Sequence, residues 1–148
     1  HKNLKEDSLY FDAEAMFCFQ DSIYIFTKNR TVPFDGKVLV YVLPQRPGTY
    51  EARLKTTFKL CTAGWQTCSV TAADYCEKTD EVAFLTYKNM YLLKNFSKIT
   101  DYVPISVKLG TIKQREAITY SADGKAVFIS DEKHKILGGG NLYKMKLE

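Results

Sequence analysis

Apolar positions along the chain come in short runs, Ile23-Tyr-Ile-Phe, Val38-Leu-Val-Tyr-Val-Leu, Val82-Ala-Phe-Leu, Met90-Tyr-Leu-Leu and Val127-Phe-Ile, separated by polar stretches rich in turn formers. Runs this short, built from β-branched and aromatic residues, predict strands and not helices. No long window carries a 3.6-residue period, so helix is expected to be nearly absent. Because the runs are apolar at consecutive positions instead of alternating, both faces of these strands are expected to be covered by other sheets. Phe34-Asp-Gly-Lys and Ala122-Asp-Gly-Lys supply hairpin chemistry, and Pro47-Gly-Thr introduces a further strand. The pattern predicts strands over 12–19, 22–28, 37–44 and 50–59, then 70–76, 81–87, 89–95 and 104–109, then 115–120, 126–131 and 140–146.

These strands fall into three groups that open alike. Asp12-Ala-Glu-Ala-Met-Phe, Thr71-Ala-Ala-Asp-Tyr and Arg115-Glu-Ala-Ile-Thr-Tyr each precede a turn and an apolar strand. Aligned on Ala15, Ala73 and Ala117, the groups lie 58 and 44 positions apart, near the period of roughly 40 to 50 residues of a β-propeller blade. The expected fold is all-β: three antiparallel blade-like sheets over about 11–60, 69–110 and 114–148 in one propeller-like domain, with the last blade lacking its fourth strand. Propellers close with about four to eight blades, so three imply missing blades from the same precursor or a second copy in a homodimer. The absent strand implies one supplied from elsewhere or an open edge.

Composition narrows this picture. The chain has 148 residues, 45% of them hydrophobic and 14% aromatic, enough for one packed core. Its net charge of +4 is scattered and not gathered into a stripe, which argues against nucleic acid as a partner. No apolar run reaches the roughly 18 residues of a membrane-spanning helix. His1 to Tyr10 is charged and lacks the apolar middle of a signal peptide; a start at His1 suggests a processed terminus. Of the four cysteines, Cys61 and Cys68 are spaced to close a short loop or to remain thiols, while Cys18 and Cys76 sit in apolar contexts that suit buried thiols.

Phe11-Asp-Ala-Glu-Ala-Met-Phe, Ser22-Ile-Tyr-Ile-Phe-Thr-Lys-Asn, Val40-Tyr-Val-Leu-Pro, Pro47-Gly-Thr-Tyr and Gly140-Asn-Leu-Tyr-Lys-Met, with the two later repeat openings, resemble the later blades of a group of poorly characterised bacterial β-propeller proteins. The resemblance covers nearly the whole chain. It implies an exported protein, periplasmic, secreted or lipid-anchored at the cell surface, with earlier blades upstream. Relatives within the superfold include gluconolactonase-like hydrolases that hold a divalent cation with acidic residues at the channel.

The first strand of each blade lines a propeller's channel, so Glu14 and Glu116 are expected to converge there, with Ala72 in the equivalent place and Asp74 two residues on. Carboxylates from several blades suit Ca2+, a hard cation that takes six to eight oxygen ligands; Glu14 and Glu116 are the candidate metal ligands, and Asp12, Asp131 and Glu132 could add oxygens. The competing expectation is that these acids accept from backbone amides of a neighbouring blade or pair with Lys28 and Arg115. The candidate channel set is Asp12, Glu14, Lys28, Asp74, Tyr87, Arg115, Glu116 and Glu132. His1 and His134 support no nucleophilic triad. Trp65 lies in a polar segment between repeats, available for a sugar or partner or packed over an edge. Binding or scaffolding is the expected function; the alternative is a metal-dependent lactonase-like or esterase-like hydrolase.

Overall fold

The computed structural model describes residues 9–136 and 138–147; the charged amino-terminal stretch, His1 included, lies largely outside the described residues. The first sheet is built from β1 (Asp12–Phe19), β2 (Ser22–Lys28), β3 (Lys37–Pro44) and β4 (Arg53–Lys59). The second is built from β5 (Ala72–Cys76), β6 (Glu81–Leu85), β7 (Asn89–Lys94) and β8 (Ile105–Lys108), and the third from β9 (Arg115–Tyr120), β10 (Ala126–Asp131) and β11 (Leu142–Lys146). Strands are ordered as in the chain and every neighbouring pair is antiparallel. The protein is therefore all-β, with three antiparallel sheets of four, four and three strands and no closed sheet. Helix is nearly absent among the described residues, as expected, and takes the form of short turns at α1 (Trp65–Cys68) and, as a 3-10 turn, at Phe96–Lys98.

The turns follow from local chemistry. Phe19 and Ser22 are paired, leaving Gln20 and Asp21 as a two-residue connection with Gln20 at φ 51°, a left-handed conformation that matches hairpin twist. In the β9–β10 turn, Asp123 accepts from Ser121 Oγ at 2.6 Å and Lys125 N at 3.0 Å. Gly124 there has φ 73°, and a Cβ would stand 2.9 Å from the Cys76 sulfur, so the turn packs against the second sheet only because a side chain is missing. Cys61 and Cys68 are joined by a disulfide that ties α1 back to the end of the first sheet.

The sheets stack face to face, with the second between the other two. Phe17, Tyr24, Phe26, Val38, Val40 and Phe58 of the first pack on Val82, Phe84, Tyr91 and Leu93 of the second. On the reverse face of the second, Ala72, Ala83, Leu85 and Met90 pack on Ile118, Val127 and Ile129 of the third. This explains the unbroken apolar run of β6, every residue of which is buried: even and odd positions serve different cores. Among the described residues, coverage on both faces by other sheets is seen for the second sheet. At the ends of the stack, Ile23, Ile25, Leu39 and Tyr41 of the first sheet and Phe128 of the third stay only half-buried, because no other sheet of the described residues lies against them. Cys18, expected as a buried thiol, is exposed on that same outer face; Cys76 is buried.

Side-chain direction also corrects the repeat alignment. The pair Ala15–Phe26 faces the second sheet, and Ala72–Leu85 faces the third. Ala117–Ser130 faces away from the second sheet, so these pairs share one rotational sense. Ala73 and its partner Phe84 point backward onto the first sheet. The structural counterpart of Ala15 and Ala117 is therefore Ala72, and Ala73 is one position out, a slip that reverses every side chain.

Candidate functional site

That one-residue offset arises from two β-bulges. In β1, Ala13 pairs with Thr27 and Ala15 with Phe26, so Glu14 is left over; in β9, Arg115 pairs with Asp131 and Ala117 with Ser130, so Glu116 is left over. The middle sheet has no bulge at this place, and Thr71, buried and bonded to the Leu85 carbonyl, stands where the other two repeats carry glutamate. A bulge takes its extra residue out of the ladder and re-aims the side chain. The first strands of the three sheets lie side by side, β1 against β5 and β5 against β9, so both re-aimed glutamates emerge at one end of these strands.

Lys28 and Tyr87 join them. The Lys28 ammonium, 3% exposed, lies 3.4 Å from Glu14 Oε2 and donates at 3.1 Å to the Tyr87 hydroxyl. That hydroxyl in turn donates at 3.1 Å to Glu116 Oε1. One polar spine thus runs Glu14–Lys28–Tyr87–Glu116 across all three sheets. Burial pushes the Tyr87 phenol above its ordinary pKa and Glu116 adds to this, against the opposing pull of Lys28. It therefore stays a neutral hydroxyl at physiological pH, able to accept from one side and donate to the other. Arg30 extends the spine outward, 2.6 Å from Asp12 and 3.5 Å from Glu14.

Of the predicted channel residues, Asp12, Glu14, Lys28, Tyr87 and Glu116 are brought together. Arg115 supports the group from beneath, but through carbonyls and not acids: its guanidinium donates to the backbone oxygens of Tyr87, Thr111 at 3.1 Å and Leu109 at 3.0 Å. Burial lowers its pKa from the usual arginine value, and the three carbonyls compensate what it loses from water. Glu132 stands apart, exposed and held by Gln114. Asp74 belongs elsewhere. It accepts from Tyr120 N at 2.8 Å and Thr119 Oγ1 at 3.0 Å, tying the second sheet to the third as the competing expectation had it. His134 is half-buried, and its Nδ1 accepts from Ile136 N.

A second cluster was only partly visible in the sequence. Asp131, buried at the end of β10, accepts from Asn141 N at 2.8 Å and Tyr143 OH at 2.9 Å, with Lys113 at 3.7 Å. Burial alone would raise its pKa, but these donors, helped by Arg115, hold it below the ordinary carboxylate range. Lys113 and Tyr143, bonded at 2.9 Å, carry no sequence signal, since both lie in stretches with ordinary loop and strand composition. Beside them opens a pocket of about 340 Å³, floored by Leu109, Ile129 and Met145 and rimmed by Lys108, Lys113 and Tyr143.

These acids do not fit a calcium site. Glu14 already faces the Lys28 ammonium and Glu116 accepts from the neutral Tyr87 hydroxyl, and among the described residues no group of three or more His, Cys, Asp or Glu side chains is arranged to hold a metal ion. No described helix is long and apolar enough to cross a membrane. No protein-family model matches the chain, and no curated protein matches it.

Proposed function

We propose that the chain is a segment of a β-propeller that works by binding or scaffolding, its inner-strand end forming a rigid recognition surface for a polar ligand or a protein. Support for the architecture comes from adjacent inner strands, face-to-face sheets and repeats of blade length. Support for the function comes from the spine Glu14–Lys28–Tyr87–Glu116. Each group in it is committed to a neighbour, which suits a surface that must hold its shape; a nucleophile or general base needs an accessible group poised for substrate. Within this proposal the remaining blades come from the same precursor or from a second copy. The Cys61–Cys68 disulfide supports export to the periplasm, cell surface or medium, since such bonds persist in oxidising compartments.

Calorimetric titration with calcium, paired with melting in chelator and a turnover assay on simple lactones and esters, separates binding from hydrolysis. The proposal expects no heat, an unchanged melt and no turnover. Calcium heat together with ester or lactone hydrolysis that chelator abolishes would replace it with the hydrolase alternative.

A further inference from the structure

The third sheet ends one strand short of the others, and its open edge has a definite chemistry. Asp131 N donates to Asn141 O, and Leu147 N donates to Lys125 O. In the β10–β11 register these are hydrogen-bonded pairs, so Tyr143 and Met145 share their parity and turn their backbone groups toward β10. The backbone groups of Leu142, Lys144 and Lys146 therefore point outward along the free edge. Their side chains are exposed on the face away from the second sheet, whereas those of Tyr143 and Met145 line the pocket. At the first interface the corresponding outer space is filled by Phe58 and Tyr102, ring centroids 5.2 Å apart. At the second it is the 340 Å³ pocket with an apolar floor.

We propose that β11 is a docking edge for an extended strand of another protein, one that alternates acidic and apolar residues and adds antiparallel as the fourth strand of the third sheet. Residues opposite Met145 and Tyr143 would point into the pocket and must be apolar. Those opposite Lys144 and Lys146 would stand on the outer face, where opposite charges directly across a ladder attract. Lys108 at the rim adds to the same preference, whereas Lys113 already faces Asp131 at 3.7 Å. Main-chain bonds would supply affinity and the alternating side chains specificity, as in other strand additions. The inference rests on sheet order and edge chemistry, and it requires that this edge stay unpaired when the remaining blades of the proposed ring are in place.

The test uses the full chain and a capped heptapeptide that alternates glutamate with valine around a central phenylalanine, followed by amide hydrogen exchange. The expected result is at least tenfold slower exchange at Leu142, Lys144 and Lys146, with at least tenfold weaker binding of the same peptide carrying lysine for glutamate. The double variant K144E/K146E, altered only at exposed positions, should reverse that preference. No slowing at millimolar peptide, equal binding of the two peptides, or protection of these amides in the free protein would overturn the proposal, the last because a second copy or another segment of the same polypeptide would already hold the edge.

Discussion

The two interfaces that flank the second sheet are built in different ways. The first is aromatic: Phe17, Phe26, Phe58, Phe84, Phe96 and their tyrosine neighbours form a continuous set of ring contacts, with Phe26 and Phe84 at 4.9 Å and Phe17 and Phe26 at 5.2 Å. The second is aliphatic, with Ala72, Ala83, Leu85 and Met90 against Ile118, Val127 and Ile129, and is pinned by side-chain hydrogen bonds that are only partly buried. Asp74 holds the backbone and hydroxyl of the third sheet, and Glu81 accepts from the Tyr120 hydroxyl at 2.9 Å, where burial and the neighbouring carboxylate raise the phenol's pKa. Ring packing supplies large buried areas, whereas the hydrogen bonds accepted by Asp74 and Glu81 supply less energy but fix register. The first interface is thus the stabilising half and the second the one that sets where the third sheet sits.

Core truncation should expose this contrast most strongly. Phe26→Ala opens a ring-sized hole in the first core and is expected to cost about 3 to 5 kcal/mol. Val127→Ala, equally buried in the second, should cost about 2 kcal/mol. Urea denaturation of both variants checks the ranking, and equal losses would break it. Asp74→Ala comes next, at about 1 to 3 kcal/mol, because the Tyr120 N–H loses its acceptor. Here the sharper readout is hydrogen exchange: the Tyr120 amide should be deprotected while amides of β2 and β3 keep their protection.

Acid should also distinguish the two. Asp131 has a folded pKa below its unfolded value of about 3.9. Its stabilising contribution is therefore complete above that unfolded value and is lost as pH falls through the depressed one. Comparison of the parent with Asp131→Asn across pH 2 to 6, on the order of the range this titration covers, should show the parent's advantage shrinking toward low pH. An advantage that does not vary with pH would contradict the assignment. The smallest effect is reserved for the exposed pair Arg30–Asp12, side chains 46% and 40% exposed: Arg30→Ala should cost about 0.2 to 1 kcal/mol and fade with added salt.

Much of the fold was legible in the sequence. Strand placement is close because runs such as Val38 to Leu43 and Val127 to Ile129 combine β-branched residues with flanking turn formers, and the three-stranded last sheet follows from the absence of another such run. What could not be read is anything that depends on parity. A bulge leaves no compositional mark, so nothing in the sequence showed that Glu14 and Glu116 leave the ladder, and Ala73 looked like the match of Ala15 and Ala117. Nor does an apolar run declare whether one or two sheets cover it; Ile23 and Ile25 carry the same letters as a doubly buried strand but sit at the end of the stack. At the site, repeat position singled out Glu14 and Glu116, whereas the link from Lys28 to Glu116 depends on a tyrosine 59 residues away.

The most direct test of the central claim, that one polar spine links the three sheets at their inner ends, is a double-mutant cycle on Lys28→Met and Tyr87→Phe followed by chemical denaturation. The account predicts a coupling energy of at least about 0.5 kcal/mol, with the double variant losing less than the sum of the singles. Strictly additive losses would contradict it.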